Sequence, residues 1–254
     1  MAEKKAWVTL VTENSYLKGL QSEDLESIKN EGCELKAIER IHPTNKPKEY
    51  IWDHYQDCWT KLRVWDIEGY DRVVFLDADI LVMKNIDHLM NMNLPKDFLG
   101  AVNACTCNSR KKQNYPKDWI PSCCSYTLVL TPSKQIFEDL SNFLYNHPDV
   151  DSLCFPDQDV LNKYFKGKWV PLPYIYNAIR VLRTCHASTW EDKAVRNVHY
   201  VMSGKPWEKE IVDFEQEYDD IKKTGDQEAI FLFILNSWWW KVYKGIEFRI
   251  GDDY

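Results

Sequence analysis

The chain has 254 residues, 44% hydrophobic and 28% charged, with a net charge of −7 at pH 7. That length allows one large domain or two small ones with a core of their own, and the acidic balance excludes a nucleic-acid binder that works by bulk electrostatics. No apolar run reaches the ~18 residues of a membrane span, and the opening Met-Ala-Glu-Lys-Lys has no secretory apolar region behind it, so the chain reads as cytoplasmic.

Residues 7–11 are a short apolar strand that runs into Thr12-Glu13-Asn14-Ser15-Tyr16. Residues 22–30 are a helix opened by Ser22, with Glu26 close to a capping-box position, and closed by Gly32. Residues 35–41 read as another strand and 45–48 as a polar loop. Over 52–67 apolar side chains recur at helical spacing (Trp52, Tyr55, Trp59, Leu62, Trp65), which predicts an amphipathic helix. Gly69 turns the chain into a strand at 72–76, followed by 80–83 and a short helix capped near Asp87. Strands are expected at 98–103 and 126–130, with a loop over 106–121 between them. Helices follow at 132–146 and 157–165, the second begun by Pro156 and Asp157. Strands at 169–171 and 197–200 close the core. The acidic run 208–220 reads as a solvated connector. Residues 226–242 form a last helix, with Ile230, Phe233, Ile234, Trp238 and Trp240 turned to the core. Strands and helices alternate, which argues an α/β fold with a largely parallel sheet. The expected organisation is one core domain over 1–207, followed by a connector and a packed helix over 208–254.

Cysteines stand at 33, 58, 105, 107, 123, 124, 154 and 185. Cys105-Thr106-Cys107 and Cys123-Cys124 could suggest zinc, but their spacings are not C-x2-C and no histidine is placed near them, so free, reduced thiols are expected. The many tryptophans and tyrosines suit either a large core or sugar stacking.

The most informative stretch is 73–82, Val-Val-Phe-Leu-Asp-Ala-Asp-Ile-Leu-Val. Its four leading apolar residues look like a strand buried on both faces. Asp77 and Asp79 then sit at its carboxyl end, where open α/β sheets bind ligands. Carboxylates beside a buried strand need a partner, and a divalent cation holding a phosphate supplies one. The second stretch is Val198-His199-Tyr200-Val201-Met202-Ser203-Gly204-Lys205-Pro206-Trp207. Gly204 lets the backbone approach a ligand, Lys205 can meet a phosphate as a point charge, and His199 can add a nitrogen to the metal. Two carboxylates and an imidazole fit manganese or magnesium, the nitrogen favouring manganese. Asp157 either caps its helix or acts in the site. Lys61 either snorkels or faces a ligand, and Tyr16 either packs or stacks on a base.

With Val8–Tyr16, Trp59-Thr60-Lys61-Leu62, Phe75-Leu76-Asp77-Ala78-Asp79, Phe155-Pro156-Asp157-Gln158-Asp159, Tyr176-Asn177 and the segment from His199 to Trp207, the chain resembles family 8 retaining glycosyltransferases of the glycogenin and galactinol synthase type. The resemblance implies a Rossmann-like GT-A domain: a mixed, mostly parallel central sheet flanked by helices. It implies transfer of a hexose from a UDP-sugar to a small polyol or saccharide, with UDP-galactose and myo-inositol as one such pair, and it allows a homodimer. By position, Asp77, Asp79 and His199 hold Mn2+ (or Mg2+). Leu10, Thr12, Glu13 and Tyr16 hold uracil and ribose, with Asp77 and Ala78 beside the donor. Gly204 and Lys205 take the diphosphate. Lys61, Asp157 and Gln158 face the transferred sugar. A self-glucosylating primer and a non-catalytic UDP-sugar binder are the alternatives. A phosphatase of the haloacid-dehalogenase type, with Asp77 as nucleophile, is a further one, although Asp219-Asp220 sits in a polar run rather than after a strand. The chain departs from the family pattern twice. A helix and a strand are missing between the first strand and Ser22, and Cys124-Ser125-Tyr126-Thr127 stands where the family has Asn-Ser-Gly. The first departure predicts an unpaired sheet edge.

Overall fold

The computed structural model describes residues 3–11, 22–42, 53–103, 105, 107, 124–146, 153, 156–201 and 204–251. The strands are β1 (Lys5–Val8), β2 (Arg72–Leu76), β3 (Ile80–Val82), β4 (Leu99–Asn103), β5 (Cys124–Leu130), β6 (Trp169–Leu172), β7 (Ala178–Ile179) and β8 (Asn197–His199). The α-helices are α1 (Ser22–Asn30), α2 (Lys134–Asn146), α3 (Pro156–Tyr164), α4 (Arg180–Cys185), α5 (Phe214–Thr224) and α6 (Gln227–Tyr243). The chain groups into two compact units, one of residues 1–78, 87–101 and 122–171, the other of 79–86, 102–121 and 172–254.

The first unit carries a mixed five-stranded sheet in the order β1-β2-β5-β4-β6. β1 pairs parallel with β2, and β2 antiparallel with β5 in the register Val73↔Leu130 to Leu76↔Thr127. Val73, Val74 and Phe75 are all buried, as a strand covered on both faces requires, and each such side chain contributes about 1.5–3 kcal/mol. β2 therefore leads the chain rigidly up to Asp77.

The segment expected as an amphipathic α-helix over 52–67 is instead a long 3₁₀ helix, Asp53–Asp66. Trp59, Leu62 and Trp65 are fully buried, and their spacing of three matches a three-residue turn, in which i and i+3 eclipse. Trp65 stacks on Phe165 at 5.7 Å. The strand expected over 35–41 is absent. Leu35 and Ile38 are exposed, 38% and 45%, so its apolar positions have no face to bury. Only Ile41 is buried there, its N–H donating to Thr60 Oγ1 at 3.2 Å. Among the described residues β1 has no second neighbour and ends the sheet.

The second unit holds a three-stranded sheet, β3-β8-β7, with β3–β8 antiparallel and β7–β8 parallel. α6 covers it through Ile234, Leu235 and Trp238, packed on Ala178, Val198 and Tyr200. Tyr200 Oη donates to the Leu235 carbonyl at 2.6 Å. Asp226 caps α6 by accepting from the Ala229 N–H at 3.0 Å. The acidic run expected as a connector is in part a helix, α5. Asp213 caps it through the Gln216 N–H and Gly225 ends it in a left-handed conformation, φ 72°. Among the described residues no helix is long and apolar enough to cross a membrane.

Candidate active site

In the first unit the residues flanking the exit of β2 form a charged group. Lys61, on the 3₁₀ helix, places Nζ 2.8 Å from Asp77 Oδ1 and 3.8 Å from Asp157 Oδ2. Asp157 opens α3 and is 2% exposed. Its Oδ1 accepts from the Gln158 N–H at 3.1 Å, and an anion is favoured at that end of a helix. Burial disfavours the charged Lys61 amine, but Asp77, the neighbouring Cys58 and Asp157 outweigh it and hold the pKa well above its usual value. Three charged groups, two acidic and one basic, thus share one patch, and Gln158 stands half-buried beside them.

In the second unit two side chains, His199 and Lys205, converge on Asp79, which is 4% exposed. The β3–β8 register sets Ile80 opposite His199, and the Tyr200 N–H donates to the Asp79 carbonyl at 3.0 Å. This brings His199 Nε2 to 3.0 Å from Asp79 Oδ1. Lys205, 126 positions from Asp79 in sequence, donates to Asp79 Oδ2 at 2.6 Å. It also donates to the Tyr200 carbonyl. Burial alone would raise the Asp79 pKa, but His199 and Lys205 hold it far below the usual carboxylate range. The other imidazole nitrogen, Nδ1, lies 2.9 Å from Asn177 Oδ1. Arg180 donates from both terminal nitrogens, to the Gly204 carbonyl at 2.6 Å and the Val201 carbonyl at 2.8 Å, and so shapes the chain that carries Lys205. Gly204 has φ 74°, and a Cβ built on it meets nothing within 4 Å.

Of the residues expected in the site, Lys61, Asp77, Asp157 and Gln158 fall in one unit and Asp79, His199, Gly204 and Lys205 in the other. Ala78 is exposed in the turn between Asp77 and Asp79. Leu10 is half-buried against the first core. Thr12, Glu13 and Tyr16 lie outside the described residues. Two participants carry no role in the sequence reading. Asn177 stands in a quoted motif without an assigned part, and Arg180 has no sequence signal beyond its charge. Asp219 and Asp220, which a phosphatase would need near its nucleophile, sit on α5, where Asp220 pairs with Lys223 at 2.8 Å, both exposed.

Residues 12–210 match the pattern described as glycosyl transferase family 8. The chain belongs to glycosyltransferase family 8. It is an enzyme of that class, and the matched span holds every candidate residue except Leu10. Among its relatives, galactinol synthase 1 of Ajuga reptans is 28% identical over 263 residues, covering 94% of this chain and 74% of its own. Galactinol synthase 1 of Solanum lycopersicum is 31% identical over 224 residues, covering 84% and 65%. Of solved structures, the glycosyltransferase GlyE of Streptococcus pneumoniae aligns with a TM-score of 0.45 at 18% identity, over 76% of this chain and 48% of that one. The galactosyltransferase LgtC, in complex with donor and acceptor sugar analogues, aligns with a TM-score of 0.40 at 20% identity, over 65% and 64%.

Proposed function

We propose that this family 8 chain moves a hexose from a UDP-sugar to a hydroxyl acceptor with retention, galactose to myo-inositol being the pair its galactinol synthase relatives suggest. The observation that carries the reading is the convergence of His199 and Lys205 on the buried carboxylate of Asp79. Asp77, Asp79 and His199 are the proposed ligands of a divalent cation, manganese before magnesium. The donor set fits: two carboxylates one residue apart, and an imidazole whose Nδ1 is tied to Asn177 so that Nε2 faces the carboxylate. Such a cation, when bound, neutralises charge that develops on a leaving diphosphate.

The chain's own groups do the rest. Lys205 offers a second positive charge to the diphosphate, and Gly204 leaves room for a phosphate to approach the backbone. Leu10, Thr12, Glu13 and Tyr16 take uracil and ribose, with Asp77 and Ala78 beside the donor. Lys61, Asp157 and Gln158 face the sugar, where a carboxylate and an amide stabilise positive charge on the reacting carbon. The acceptor hydroxyl attacks from the face the diphosphate leaves, and the departing phosphate oxygen takes its proton.

Purified protein with manganese, offered a panel of UDP-hexoses with and without myo-inositol, should release UDP fastest from UDP-galactose with inositol present. No UDP release from any hexose donor with any polyol or saccharide would overturn the reading. Asn177 gives a finer test. Asn177→Ala removes the group that orients His199, and the manganese concentration for half-maximal activity should rise by about 10–100-fold while activity returns at saturating metal.

A further inference from the structure

Cys105, Cys107 and His186 form a second cluster of metal-ligating side chains, entirely within the second unit. Both cysteines are thiols, 7% and 6% exposed, and lie past the end of β4 at Asn103. His186 follows α4 directly, and its main chain is held on both sides. Its N–H donates to the Leu182 carbonyl at 2.8 Å, and its carbonyl accepts from the Thr189 N–H at 2.9 Å and the Trp190 N–H at 3.3 Å. Its ring places Nε2 3.2 Å from Cys107 Sγ. One ligand atom from each of the three residues lies within 4.8 Å of the others. This corrects the expectation that no histidine stands near the cysteines.

We propose that Cys105, Cys107 and His186 bind one zinc ion. Apolar packing with Ile179, Leu182 and Cys185 accounts for the burial of the two thiols, but not for the imidazole nitrogen set against them. A buried cysteine behaves as a small hydrophobe and needs no polar partner, and a thiol–imidazole hydrogen bond would use one sulfur, not two. The geometry is close to that of a bound state. With zinc–sulfur bonds of about 2.3 Å and zinc–nitrogen bonds of about 2.05 Å, a tetrahedron separates sulfur from nitrogen by about 3.6 Å. The observed 3.2 Å needs to open by only a few tenths of an ångström. On binding, each thiol releases its proton to solvent, and the two thiolates cancel the charge of the ion. Three protein ligands leave the fourth tetrahedral position to a water on the half-exposed His186 side.

Ligand softness separates this site from the carboxylate site. Two sulfurs and an imidazole select zinc over manganese or magnesium, which prefer oxygen. The placement also gives the ion a task. It would tie the chain after β4 to the end of α4, and α4 begins with Arg180, whose guanidinium holds the Val201 and Gly204 carbonyls. A clamp on this helix steadies the segment that presents Lys205.

The test uses the full chain, purified under reducing conditions. Elemental analysis should find about one zinc per chain, falling to about zero in Cys107→Ser. Growth with cobalt should give an intense thiolate-to-cobalt charge-transfer absorption. That band should vanish in Cys107→Ser and persist in both Asp79→Asn and Cys33→Ser, whose cysteine is exposed. X-ray absorption on the unsubstituted zinc protein needs no variant to fold, and should show sulfur at about 2.3 Å with nitrogen at about 2.0 Å. A zinc shell of oxygen and nitrogen alone, a missing cobalt–thiolate band, or recovery of Cys105 and Cys107 as a disulfide from the reduced preparation would each overturn the site.

Discussion

Asp79→Asn should lower kcat/KM for UDP-sugar turnover by about 10³-fold or more, the scale of losing a preorganised charge at the centre of a transfer site. The change keeps the shape of the side chain and removes only its charge, so packing around it is preserved. The consequences follow from what touches it. Asp79 accepts from Lys205 at 2.6 Å and faces His199 Nε2 at 3.0 Å. With a neutral amide in its place, the Lys205 ammonium, 9% exposed, keeps the Tyr200 carbonyl but loses its counter-charge. Removing one partner of a buried ion pair costs about 3–5 kcal/mol, which for a chain of this size lowers Tm by roughly 10 °C. The two effects separate cleanly. Activity measured well below the melting temperature, with manganese raised until it has no further effect, reads the catalytic loss alone. Lys205→Met is the matching control. It also breaks the pair, but its damage should appear in kcat and in the KM for the UDP-sugar rather than in the metal requirement. Turnover by Asp79→Asn within a few-fold of the unsubstituted protein would remove the proposed metal site.

Local sequence was enough for some parts of this molecule and powerless for others, and the division follows contact distance. β2 was legible because Val73, Val74 and Phe75 form an apolar run that only a doubly covered strand can bury. α6 was legible because Asp226 caps it and its apolar residues dominate. α5 was missed although its signals were present, Asp213 three residues before Gln216 and Gly225 at its end. The density of acid there masked the caps. The long helix at Asp53–Asp66 was legible as a helix but not in type, since positions 59, 62 and 65 satisfy a period of three as well as one of 3.6. Leu35 to Ile41 looked like a strand because its composition is right, yet a strand also needs a neighbour, and composition says nothing of that. The Asp79–Lys205 and Cys107–His186 contacts join residues 126 and 79 positions apart. The first was anticipated only through an ordered set of motifs. The second had no such guide, and only the pairing of β3 with β8 and the end of α4 bring such groups together.

Asp157→Asn should lower kcat by about 10²–10³-fold with KM for the UDP-sugar changed little. The reasoning starts from its surroundings. Asp157 is 2% exposed, its Oδ1 accepts from the Gln158 N–H at 3.1 Å, and Lys61 lies 3.8 Å from Oδ2. Asparagine keeps an oxygen for the Gln158 N–H, so the start of α3 should hold. What it lacks is negative charge, and a carboxylate next to a sugar carbon matters most when that carbon becomes cation-like, in the transition state rather than the ground state. A kcat effect without a KM effect is the signature of that difference. The same residue separates two routes to retention. If Asp157 attacked the sugar and formed a covalent intermediate, Asp157→Ala would leave a gap that azide could fill, and added azide would restore release of UDP with a glycosyl azide of inverted configuration. If the acceptor attacks on the face the diphosphate leaves, azide has no opposite-face role to take over. Lys61 favours the second route, because its ammonium stays charged beside Asp157 and an ion-paired carboxylate is a weaker nucleophile. The expected result is a slow Asp157→Ala enzyme that azide does not rescue, its residual product still retained, and azide-dependent turnover with inversion would assign Asp157 the covalent role instead.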